Sequence, residues 1–236
     1  MANFFLYIQI LFFYFLIAGL LFYVASRKKD LAFRKALWKK FGVYFLLVFV
    51  VMFLFFVGGI YTISLLLILQ FFAIREWWLS KNGLSFFAMW SSGGVLLAVL
   101  ITPYIQYPSG DELLAYYFFV VIFDGFSQAF GQWLKGPKIL PSVSPNKTWS
   151  GFLGGCVMLL LARYFLVDFG LHTIEIVILS FVALAGDLLA SGFKRIAQIK
   201  DYPMLIPGHG GVLDRFDSFF FVLFFTTIIK CCAYVS

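Results

Sequence analysis

Between positions 187 and 217 of this 236-residue chain stand four carboxylates (Asp187, Asp201, Asp214 and Asp217) and four basic side chains (Lys194, Arg195, Lys200 and Arg215). Ser191 and the run Pro207-Gly208-His209-Gly210-Gly211 lie among them. At helical spacing Asp187, Ser191 and Lys194 share one face, and so do Asp214 and Asp217. Two carboxylates close together on one face cannot both stay ionised without a cationic partner. A divalent cation with oxygen ligands meets that need, and Mg²⁺ commonly takes one or two carboxylates together with phosphate oxygens. The neighbouring Lys and Arg would then hold whatever anionic charge the metal leaves over. The Gly208–Gly211 stretch would let backbone N–H groups approach a phosphate. A run of charges is ordinarily a solvated face, but Asp187 ends an apolar helix, where a carboxylate is costly enough to need a reason.

A second polar stretch reads Lys135-Gly136-Pro137-Lys138, then Ser144-Pro145-Asn146-Lys147-Thr148-Trp149-Ser150-Gly151. Ser-Pro suits a turn, and Asn-Lys-Thr supplies side-chain donors just before the next apolar helix. A helix N-terminus beside a lysine and a hydroxyl favours an anion. The same residues would equally make an ordinary helix cap at a membrane boundary.

The elements that must position these groups follow from composition. The chain is 63% hydrophobic and 12% charged, with 33 phenylalanines and mean hydropathy +0.97. Soluble domains carry about 25% charged residues, so a cytosolic enzyme, a disordered regulator and a disulfide-stapled module are excluded. A net charge of +7 would suggest nucleic acid on a soluble protein, but the apolar runs explain this composition first. Cys156, Cys231 and Cys232 lie in or at the ends of apolar runs, without metal-ligand spacing. The expected fold is an all-α polytopic membrane protein, one domain over residues 1–236, with about eight spans near 3–25, 41–57, 60–79, 84–102, 112–134, 149–167, 172–192 and 217–235. Residues 41–74 carry no charge, too long a run for one span, so Gly58-Gly59 is expected to break it. The basic residues after the first span lie on the wrong side of it for a cleaved signal peptide. With the 26–40 loop in the cytoplasm, 16 of the 18 Lys and Arg fall on that side and only Arg163 and Lys230 on the other, a strong positive-inside bias. Both polar stretches then face the cytoplasm. The 26–40 loop is also amphipathic, with Leu31, Phe33, Leu37 and Trp38 between basic residues, and is expected either to lie on the anionic leaflet or to serve as a plain topogenic loop.

Ser191-x-Phe193-Lys194-Arg195-x4-Lys200-Asp201, followed by His209-Gly210-Gly211-x2-Asp214-Arg215-x-Asp217, resembles the signature of the phosphatidate cytidylyltransferases, the CDP-diacylglycerol synthases. Ser144-Pro145-x-Lys147-Thr148-Trp149-x-Gly151 is similar to a second motif of that family. Asp124 before Gly131, and Glu76 after the third span, also fall in familiar places. The resemblance covers residues 111–236 well and residues 1–110 only in hydropathy. Departures are Pro203 in place of a small residue, Ser150 in place of an acidic one, and a Gln128 region lacking an Ala-Tyr pair.

The resemblance implies Mg²⁺-dependent transfer of a cytidylyl group from CTP to phosphatidate or a related lipid phosphate, giving CDP-diacylglycerol and pyrophosphate. It implies catalytic roles for Asp214, Asp217, Lys200 and Asp201, with Asp187, Asp201, Asp214 and Asp217 as metal ligands or orienting groups. Substrate contacts would come from Ser144, Lys147, Thr148, Ser191, Lys194, Arg195, His209, Gly210, Gly211 and Arg215, His209 having an equal reading as a loop hydrogen-bonding residue. The expected partners are CTP, the lipid phosphate and membrane lipids, with no nucleic acid. A second cation and a homodimer are left open, and the expected location is the cell inner membrane. The alternatives are a CTP-dependent lipid-alcohol kinase, which would move the γ-phosphoryl group, and a transporter, which the one-sided clustering of polar groups disfavours.

Overall fold

The computed structural model describes residues 2–27, 29–80, 93, 96, 100, 110–166, 171–203 and 210–235. Seven helices are described: α1 (Ala2–Ser26), α2 (Leu31–Val57), α3 (Gly59–Ser80), α4 (Gly110–Leu134), α5 (Trp149–Leu166), α6 (Thr173–Ile196) and α7 (Leu213–Val235). Six of them are long and apolar enough to cross a membrane, and α5 is a shorter apolar helix. The protein is thus an α-helical integral membrane protein. The span expected at 84–102 lies outside the described residues.

The break in the charge-free run falls at Gly58-Gly59, with φ of 73° and 54°, a left-handed region that glycine reaches without steric cost. Three helix boundaries differ from the sequence expectation. The helix expected to end at 192 runs to Ile196, so Lys194 and Arg195 lie in its last turn. Residues 31–40, read as loop, are the opening turns of α2, because that segment holds good helix formers and no glycine or proline. The last helix begins at Leu213 rather than 217, so Asp214 and Asp217 both lie on it. The Ser144-Pro145 step, read as a turn, lies in a strand: β1 (Lys138–Leu140) pairs antiparallel with β2 (Ser144–Thr148), and the reversal falls at residues 141–143. Pro145 is tolerated there because each strand of a two-stranded ribbon has an open edge.

The chain divides into two compact units. The first comprises residues 1–56 and 117–180. Its core is aromatic: Tyr7 packs edge-on to Phe118, Tyr14 to Phe126 and Phe55 to Tyr117, at centroid separations of 5.2, 5.4 and 5.7 Å. The Tyr14 hydroxyl, which could not be left bare in an apolar interior, donates to the Met158 carbonyl at 3.0 Å. Close helix approach is bought with a small residue at Gly151 of α5, where a Cβ would strike the Ser127 carbonyl of α4.

The second unit comprises residues 57–116 and 181–236. Leu65, Leu66, Leu69 and Ala73 of α3, Leu113 and Leu114 of α4, Ala183 of α6 and Phe216, Phe219, Phe220 and Leu223 of α7 are among its buried residues. Across both units many large apolar side chains face outward, Phe12, Leu20, Leu46, Ile68, Phe71, Leu161 and Ile174 among them. Such a surface suits lipid and would be an aggregation liability in water.

Candidate active site

The polar cluster of the second unit is built first by the end of α6. Gln198 N–H donates to the Arg195 carbonyl at 3.1 Å and Ile199 N–H to the Lys194 carbonyl at 2.9 Å, with Gln198 at φ 58°. This is a Schellman closure, which satisfies carbonyls left over at a helix end. It reverses the chain directly after the basic pair, exposes Lys200 and Asp201, and returns Tyr202 to the start of α7.

The start of α7 needs acceptors for its leading N–H groups, and two carboxylates supply them. Asp214 Oδ2 accepts from Gly211 N–H at 3.0 Å and from Tyr202 N–H at 2.9 Å. Glu76 of α3 accepts from Val212 N–H at 2.7 Å through Oε1 and from Leu213 N–H at 2.9 Å through Oε2. The glycines were expected to bring N–H groups to a phosphate. In the described part of that run, Gly211 N–H donates to the chain's own Asp214 carboxylate. A Cβ on Gly211 would collide with the Glu76 carboxylate, and one on Gly210, at φ 73°, would lie 2.8 Å from Asp214 Oδ2.

The second oxygen of Asp214 is taken as well. Lys194 Nζ lies 2.6 Å from Asp214 Oδ1, and both side chains are nearly buried, at 11% and 10% exposure. The same ammonium stands 5.7 Å from the centre of the Tyr202 ring, within cation–π range. Lys194 and Asp214 therefore join the end of α6 to the start of α7. The Tyr202 phenol is pushed above its ordinary range, first by burial and then by the charges of Asp214, Asp217 and Glu76.

Asp187 and Asp217 are placed differently. Gly186 lets α6 and α7 cross closely, since a Cβ there would lie 2.6 Å from Phe221 Cβ and 3.3 Å from the Asp217 carbonyl oxygen. Asp187 and Asp217 thus border one helix crossing, both half-buried. Ser191 Oγ donates to Asp187 Oδ1 at 3.4 Å, and Ser218 N–H to Asp217 Oδ1 at 2.8 Å. Arg195 and Arg215 are exposed beside this crossing's helix ends.

As a donor set for Mg²⁺ the carboxylates are hard oxygens of the right kind. Among the described residues no three His, Cys, Asp or Glu converge as a metal cage. Mg²⁺ is usually held by one or two carboxylates, with substrate phosphates and water completing its shell. Asp187 and Asp217 could contribute to such a shell. Asp214 has three donors on its oxygens already, and Asp201 sits exposed in the turn.

In the first unit, Thr148 is the N-cap of α5: its Oγ1 accepts from Gly151 N–H at 3.1 Å and from Ser150 Oγ at 3.2 Å. Ser150 Oγ in turn accepts from Gly136 N–H at 3.0 Å. Ser144 and Lys147 are half-buried on β2, and Asp124 is half-buried within α4. His209 lies outside the described residues. Glu76 and Tyr202 were not among the sequence-derived site residues. The signals for Glu76 were an acid at the end of an apolar span and its familiar place in the family resemblance, neither of which assigns it a role.

The model of the cytidylyltransferase family matches residues 78–232. Curated relatives include the phosphatidate cytidylyltransferases of Staphylococcus haemolyticus and Staphylococcus aureus, each 38% identical over 170 residues, covering 67% of this chain and 65% of theirs. That of Staphylococcus epidermidis is 36% identical over 173 residues, with the same coverage. The chain thus spans 65% of the length of these relatives. No solved structure matches it. With the family model aligned to about two thirds of the chain, including both polar motifs, the protein belongs to the cytidylyltransferase family.

Proposed function

We propose that this protein transfers a cytidylyl group from CTP to phosphatidate, forming CDP-diacylglycerol and pyrophosphate. The observation that carries the proposal is the gathering of the described signature residues, 191–201 and 210–217, around the facing ends of α6 and α7. Carboxylates and cations stand there at the polar end of apolar helices. The names of the relatives support the same reaction.

The chemistry asks little of a general base. A phosphate monoester is mostly dianionic near pH 7, with a second pKa of about 6. One of its oxygens attacks the α-phosphorus of CTP. A new P–O bond forms, the bond from that phosphorus to the β-phosphate bridge breaks, and the electron pair leaves with pyrophosphate. Bringing two anions together is the difficulty, so positioning and charge neutralisation are what the protein must provide. Arg195, Lys200 and Arg215, exposed around the site, are the proposed phosphate contacts. Lys194 and Asp214 are assigned to holding the two helix ends in register. Asp187 and Asp217 would hold Mg²⁺, which when bound would neutralise phosphate charge and orient the triphosphate. In the first unit Lys147 and Ser144, both half-buried on β2, are proposed phosphate contacts, while Thr148 is occupied as a cap. The reaction is placed on the cytoplasmic face, supported by the basic residues that cluster beside both motifs.

Purified protein incubated with CTP, Mg²⁺ and a panel of lipid phosphates should yield a lipid heavier by one cytidylyl group, read by mass. Asp187→Asn and Asp217→Asn should each lower the rate by about 100-fold or more, as expected when a charge-stabilising group is lost. Near-parental rates in both variants at saturating Mg²⁺ would remove the metal assignment, and no mass shift with any lipid phosphate would remove the reaction.

A further inference from the structure

Glu76 lies outside the signature, on a different helix and 136 residues from the groups it binds. Its side chain has no exposed surface, yet both of its oxygens accept hydrogen bonds, from the consecutive backbone N–H groups of Val212 and Leu213. These are the cap and first positions of α7. A carboxylate there answers both the orphan donors and the positive end of the helix dipole. Gly211 records the same fit independently, because any side chain at that position would occupy the space of the Glu76 carboxylate. The Ser80 hydroxyl, one turn further along α3, donates to the Glu76 carbonyl at 2.8 Å.

We propose that Glu76 is a positioning residue: a two-pronged clamp from α3 that fixes where α7 begins and so where Asp214 and Asp217 point. The reasoning is geometric. Asp214 follows the clamped Leu213 directly, and Asp217 stands four residues beyond it, on the same helix face as Leu213. A slip or rotation at the start of α7 therefore moves both acids together. The catalytic part of this proposal rests on the cytidylyl-transfer reading. The clamp itself does not.

The test uses Glu76→Gln, which keeps size but turns an amide NH₂ toward a backbone N–H. Glu76→Asp, which keeps the charge but is one methylene short, is the second variant. Amide hydrogen exchange at Val212 and Leu213 reads the clamp without reference to activity, and kcat and KM for CTP, per folded molecule, read its effect on the site. In Glu76→Gln exchange at the two amides should rise at least about tenfold. The kcat should fall by about 100-fold, the usual cost of a misplacement near 1 Å, while KM for CTP stays within about threefold. Glu76→Asp should recover part of both losses. Unchanged exchange at Val212 and Leu213 in Glu76→Gln would overturn the clamp. Raised exchange with unchanged kcat, or a kcat loss that disappears once the folded fraction is counted, would overturn the positioning role. If the parent protein makes no CDP-lipid, the proposed reaction fails instead, and the exchange measurement alone decides the clamp.

Discussion

Replacing Lys194 by Met removes the positive partner of a carboxylate that is only 10% exposed. Removing one member of a buried ion pair costs about 3–5 kcal/mol, because the other charge stays behind without compensation. Asp214 keeps two backbone donors, from Tyr202 and Gly211, so the lower end, about 3 kcal/mol, applies. The lost cation–π contact with Tyr202, worth about 0.5–2 kcal/mol, is largely offset by a sulfur–aromatic contact of about 0.3–1.5 kcal/mol from the new methionine. For a chain of this length each kcal/mol moves the melting midpoint by about 2–4 °C, which gives a fall of about 6–12 °C. Thermal unfolding in detergent measures it. The double variant Lys194→Met with Asp214→Asn removes both charges and should melt above Lys194→Met alone, with a coupling of about 1–3 kcal/mol between the positions. A Lys194→Met midpoint within about 2 °C of the parent, or a double variant that loses the sum of the two single losses, would refute the reasoning.

Three further outcomes follow from single contacts. Thr148→Val deletes the cap of α5 and should cost about 1 kcal/mol, up to about 2, in thermal unfolding, while Thr148→Ser should be nearly neutral. Gly211→Ala drives a Cβ into the Glu76 carboxylate and should destabilise by about 1–3 kcal/mol, an effect that Gly42→Ala, with open space around it, should not show. Tyr202 ionises at higher pH in the folded protein than unfolded. Its contribution to pH dependence is therefore flat below the unfolded value of about 10 and destabilising above it. Alkaline unfolding of Tyr202→Phe should lack that part of the decline.

Much of the architecture is legible in the sequence because the bilayer imposes a length and apolar runs reveal it. The break at Gly58-Gly59 follows from a charge-free run longer than a membrane is thick, and the structure places it there. The helical opening of α2 at residues 31–40 was missed because alternating basic and apolar residues read alike in an interfacial loop and in a helix. The polar cluster was legible by its density in a chain of few charges. Its internal wiring was not, since pairing depends on tertiary approach. Nothing in the spacing tells that Lys194 meets Asp214 across 20 residues, or that Gly211 N–H meets Asp214. Glu76 shows the limit most plainly, as its partners lie 136 and 137 residues away.

The most direct test follows the label of CTP carried separately at its α- and γ-phosphates, with purified protein, Mg²⁺ and phosphatidate. Cytidylyl transfer places the α-label in the lipid and releases the γ-label in pyrophosphate. Appearance of the γ-label in the lipid with release of CDP, or no transfer of either label, would contradict the proposed reaction.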